Sequence, residues 1–71
     1  MNNDNARLLE KNAELLLDLL TKIRNEYQES DDEYLNELFF SGLQKARDFY
    51  SNLVIIAKKE GGAKWFYLME K

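Results

Sequence analysis

Two stripes of apolar residues, stepped alternately by three and four, hold most of this chain to helices. The first runs Ala6, Leu9, Ala13, Leu16, Leu20, Ile23 and Tyr27. The second runs Leu35, Phe39, Gly42, Ala46, Phe49, Leu53 and Ile56. Such spacing gathers each set on one side of a helix. No proline interrupts either stripe, and Leu, Glu and Lys, all good helix formers, are abundant. The spacing predicts an all-α fold with one helix over about 4–28 and a second over about 31–60. Asn2, Asn3, Asp4 and Asn5 are all good caps for the start of the first. Ser30-Asp31-Asp32-Glu33 matches a capping box for the second, with Ser30 as N-cap and Glu33 reaching back to its amide. Its acids also suit the positive end of the helix dipole.

A turn near residue 29 makes the pair an antiparallel hairpin. With that register, Leu16 is expected near Gly42 and Ala13 near Ala46. Glycine inside a helix costs about 1 kcal/mol relative to alanine, so a close approach of the two axes is the expected reason for Gly42. Gly61 is expected as the residue just past the end of helix 2, and Gly62 allows the chain to reverse. Beyond them Ala63 to Glu70 reads as a short third helix at about 63–70, or as a strand with both faces apolar. Residues 1–71 are then a single helical domain.

The apolar arc on helix 1 is broad. Leu8, Leu15 and Leu19 form a shoulder beside its seam, so the helix is expected to touch two neighbours. Asn12 falls inside that arc, either as a rim residue or as a buried polar group that fixes register. On helix 2, Tyr34, Phe40 and Ile55 do not fit the core side and suggest a second apolar surface. A chain of 71 residues has a marginal core when alone. Small chains compensate with disulfides, metals, association or regular helix packing. This one has no Cys and no His, which removes disulfides and the usual ligands of zinc, haem and iron–sulfur groups. Association remains, and a homodimer whose four long helices form a bundle is expected.

The same absences remove the side chains that most often act as base or nucleophile. There is no glycine-rich phosphate loop and no nucleophile elbow. The acidic run at 29–33 lacks the spaced ligands and turn glycine of an EF-hand. An enzyme is not expected, and neither is a cofactor or a metal. A membrane segment is not expected either, because the longest apolar runs, Leu53–Ala57 and Trp65–Met69, are far too short to span a bilayer. Met1 to Asn5 has no basic start resembling a signal peptide. A cytoplasmic protein is expected.

The net charge of −3 is unevenly spread. Ten acids and four bases fall in residues 1–41, and three acids and six bases in residues 42–71. The acidic whole disfavours a dedicated nucleic-acid binder. The expected function is a small non-enzymatic protein-interaction module, a regulator, inhibitor or adaptor that acts by binding another protein. The candidate contact residues are Phe40, Ile55, Lys58, Lys59, Lys64, Trp65, Phe66 and Tyr67, with the acidic side of helix 1 available to a basic partner. Trp and Tyr are common hot-spot residues of protein interfaces. The alternative is a nucleic-acid-binding accessory protein that uses the basic, aromatic C-terminal third, because cations interleaved with aromatics also suit single strands.

Overall fold

The computed structural model describes residues 1–61 as two helices packed against each other, α1 over Asn3–Glu26 and α2 over Glu33–Gly61. The expected C-terminal helix at 63–70, and with it Lys64, Trp65, Phe66 and Tyr67, lies outside the described residues.

Helix α1 starts inside the predicted run of cap residues. The side-chain oxygen of Asn2 accepts the Asn5 N–H at 2.8 Å, which satisfies one of the unpaired donors of the first turn. The helix ends at Glu26, two residues earlier than expected. Tyr27 turns extended (φ −74°, ψ 128°) while its N–H still reaches the Ile23 carbonyl at 3.1 Å. The turn frees its ring to lie flat on Phe39, with centroids 3.8 Å apart and planes within 4°. Phe40 meets both rings edge-on, and the Arg24 guanidinium sits 5.0 Å from the Phe40 centroid. Three aromatic side chains and one cation thus close the loop end of the hairpin.

Helix α2 starts at Glu33, two residues later than expected, and the capping box between Ser30 and Glu33 does not form. Asp32 is the cap instead: its carboxylate accepts the Tyr34 N–H at 3.0 Å, and its own N–H donates to the Ser30 hydroxyl at 3.0 Å. The Ser30 amide that Glu33 was expected to meet is taken by Asn36. The Asn36 side chain accepts from Ser30 N–H at 2.8 Å and donates back to the Ser30 carbonyl at 2.9 Å. It also accepts from the Tyr27 hydroxyl at 2.5 Å. One half-buried amide therefore ties both ends of the loop to the first turn of α2.

The fully buried residues are Ala6, Ala13 and Leu20 on α1 and Leu43 and Ala57 on α2. On α1 they repeat every seven residues, and Tyr27 continues the series. On α2 the matching series is Asn36, Leu43, Tyr50 and Ala57, none of which is exposed. Contacts at both ends fix the register: Tyr27 meets Asn36, and Ala6 meets Gly61. The expected pairings of Leu16 with Gly42 and Ala13 with Ala46 are shifted by about one turn. The register instead sets Leu20 across from the Leu43 level and Ala13 across from the Tyr50 level. Gly42 is exposed, and a Cβ placed there would have nothing within 4 Å.

The glycine that allows a close approach within the hairpin is Gly61. It is the last residue of α2 rather than a left-handed residue beyond it, because no glycine among the described residues has positive φ. A Cβ on Gly61 would collide with that of Ala6 and lie 3.7 Å from the Asn3 carbonyl oxygen. Both Cβ atoms are fixed to backbone, so relief requires the helices to part. Gly61→Ala is expected to cost on the order of 1–3 kcal/mol. A thermal melt followed by circular dichroism reads the effect, and an unchanged midpoint would contradict the packing at this end.

Candidate interaction surface

The hairpin buries little of its apolar content. Three of its five fully buried residues are alanine, and no large side chain is completely enclosed. What remains outside is ordered. On α1, Leu8, Leu15, Leu19 and Ile23 keep between 37% and 57% of their surface exposed. On α2, Leu35, Leu38, Phe49 and Ile56 keep between 44% and 57%.

Five of these residues, Leu19, Ile23, Leu35, Phe49 and Ile56, share one side of the hairpin, and Leu8, Leu15 and Leu38, five places before the seam, lie at its outer margin. Leu19 sits one place before the α1 seam residue Leu20, and Leu35, Phe49 and Ile56 sit one place before the α2 seam residues Asn36, Tyr50 and Ala57. Both helices are right-handed and run antiparallel, so a residue one or four places before the seam leans to the same side on each. The side one place after the seam carries Arg7, Glu14 and Thr21 on α1 and Glu37, Gln44 and Ser51 on α2, all exposed. The hairpin therefore has one polar side and one side that is largely apolar on α2, to which α1 adds Leu19 and Ile23 among Asn5, Asn12 and Glu26. About half of eight large side chains comes to on the order of 800 Å² of apolar surface, the area one partner contributes to an interface of standard size. The largest apolar patch on a monomeric protein is about 300–600 Å².

The candidate residues named from sequence do not converge here. Phe40 is not a stray: it is half-buried against Tyr27 and Phe39. Ile55 and Tyr34 are exposed, but they lie on the outer side of α2, six turns apart, and make no joint patch. Lys58 is half-buried and Lys59 exposed in the last turn of α2, where cations suit the helix dipole. Asn12 is exposed, one place before the seam residue Ala13 and in the same heptad position as Leu19. The second apolar surface expected of α2 exists, but different residues make it. Leu35, Phe49 and Ile56 belong to it rather than to the hairpin core, because the seam of α2 is rotated by one heptad position. The breadth of the helix 1 arc was the signal for this surface on α1.

Among the described residues no group of three or more His, Cys, Asp or Glu is placed to hold a metal ion. No described helix is long and apolar enough to cross a membrane. Comparison with family models, with curated proteins and with solved structures returns no match.

Proposed function

We propose that this chain is a non-enzymatic protein-interaction module, a cytoplasmic regulator, inhibitor or adaptor, and that it works as a homodimer with four long helices in one bundle. The observation that carries this reading is the apolar side shared by α1 and α2. Its large apolar residues are left about half exposed by the hairpin. A hairpin whose enclosed core is mostly alanine gains little from burial. Laying the apolar sides of two hairpins together buries the exposed half of these side chains as well. The polar sides then face outward and remain available to a second protein, together with Ile55 and the Lys58-Lys59 turn.

Absolute mass in solution, by light scattering on the full chain across a range of concentrations, tests the assembly. The expected result is twice the 8.4 kDa of one chain, with a melting temperature that rises with concentration. A monomer that melts high and independently of concentration overturns it. The nucleic-acid reading rests mainly on Lys64, Trp65, Phe66 and Tyr67. Binding that weakens steeply with salt and is lost in Lys58→Ala/Lys59→Ala at unchanged stability would favour it.

A further inference from the structure

Gly42 stands in the middle of the apolar side without a reason among the described residues. It lies in the interior of α2, where glycine costs about 1 kcal/mol relative to alanine. Its backbone is ordinary helix with no positive φ, and nothing lies within 4 Å of where a Cβ would be. Neither backbone freedom nor packing among the described residues calls for it. It also belongs to a set at intervals of seven: Leu35, Gly42, Phe49 and Ile56. Laid antiparallel against a copy of itself, this set is self-complementary. Leu35 meets Ile56, and Phe49 meets the bare backbone of Gly42.

We infer that the occupant of the apolar side is a second copy of this chain set antiparallel, with α2 against α2 and Phe49 of each copy seated over Gly42 of the other. The inference rests on the homodimer proposed above and specifies its geometry. A two-fold axis across the helices generates the arrangement, and every contact then occurs twice.

Charge selects this orientation over the one in which like ends meet. The closed end carries Glu26, Glu29, Asp31, Asp32 and Glu33 with no base from Asn25 to Glu33. Two such ends side by side repel. Reversing one copy brings that end over the Lys58-Lys59 end of the other, with Asp32 level with Lys59 of the second copy. Like-charge juxtaposition is a common means of excluding wrong pairings.

The chain has no Cys, so single thiols report the geometry directly. The stripe's midpoint falls between Lys45 and Ala46, which sets Lys45 beside its counterpart on the outer flank. Asn52, on the same flank, would stand about 20 Å from its own counterpart along the axis, well beyond thiol-bridging distance. Both residues are exposed. With a short bismaleimide, Lys45→Cys is expected to give a covalent dimer and Asn52→Cys none. A size swap tests the seat itself. Gly42→Phe and Phe49→Gly are each expected to weaken the dimer at least tenfold, and the double variant to recover to within a few-fold of the parent. The two positions are two turns apart on one helix and do not touch in cis, so recovery has to come from across the interface. A dimer with no Lys45 cross-link, with equal Asn52 cross-linking, or with no recovery in the swap overturns this pairing and leaves the homodimer standing. A parent chain that stays monomeric overturns both.

Discussion

Asn36→Ala is expected to destabilise the hairpin by about 2–3 kcal/mol, because one side chain supplies three hydrogen bonds and alanine supplies none. The Asn36 oxygen accepts from Ser30 N–H and the Tyr27 hydroxyl, and its amide donates to the Ser30 carbonyl. Deleting it leaves both polar groups of the Ser30 backbone without these partners in a half-buried loop. It also removes the anchor that holds Tyr27 over Phe39. Domains of this size have only about 3–5 kcal/mol to lose, so the variant should be largely unfolded at physiological temperature. Tyr27→Phe is the control. It removes one hydroxyl, keeps the stacked ring, and should cost about 1 kcal/mol or less. Asn36→Asp should fall between the two: it keeps the acceptor, loses the donor, and adds a charge near Asp31 and Asp32. Urea unfolding followed by circular dichroism ranks the three. Equal losses for Asn36→Ala and Tyr27→Phe would show that the amide does not hold the loop.

The part of the fold visible in the sequence was the part set by periodicity. Alternating steps of three and four on α1, a run of cap residues at Asn2–Asn5 and the lack of proline sufficed for two antiparallel helices. The seam of α1 was legible because Ala6, Ala13 and Tyr27 stand between polar neighbours and only Leu20 has an apolar one, Leu19. The seam of α2 was not, because two neighbouring heptad positions are both largely apolar: 35, 42, 49 and 56 beside 36, 43, 50 and 57. Periodicity alone cannot tell which of two such positions faces the hairpin and which faces away. Asn36 deepened the ambiguity. A polar residue at the head of a series argues against a seam unless its partners are known, and those partners, Tyr27 and the Ser30 backbone, come from the loop. The same hidden contact misplaced the cap, since Ser30 was free for Glu33 only while Asn36 was unassigned. Gly42 and Gly61 exchanged roles for the same reason. Once α2 is rotated, the interior glycine looks outward and the terminal one meets Ala6.

Leu19→Glu is expected to weaken self-association at least about a hundredfold, although the single hairpin gives it no reason to matter. Leu19 keeps 53% of its surface exposed. In an isolated hairpin a charged residue at such a position changes stability by no more than about 0.5 kcal/mol. In the four-helix arrangement the same position is enclosed, and two-fold symmetry makes each substitution count twice. Each copy then forfeits the burial of a leucine, about 1.5–3 kcal/mol when complete, and brings a carboxylate into an apolar interface. A hundredfold is about 2.7 kcal/mol, well within that sum. Thr21→Glu is the matched control on the polar side of the same helix, and it should leave association within a few-fold of the parent. Sedimentation equilibrium of the three chains reads the difference. Equal behaviour of Leu19→Glu and the parent would mean that α1 is not part of the interface, and only α2 would then remain as the surface of contact. Loss in Leu19→Glu with helicity retained at high protein concentration would instead separate folding from assembly: the hairpin would stand on its Asn36 loop and aromatic closed end, and the apolar side would serve association alone.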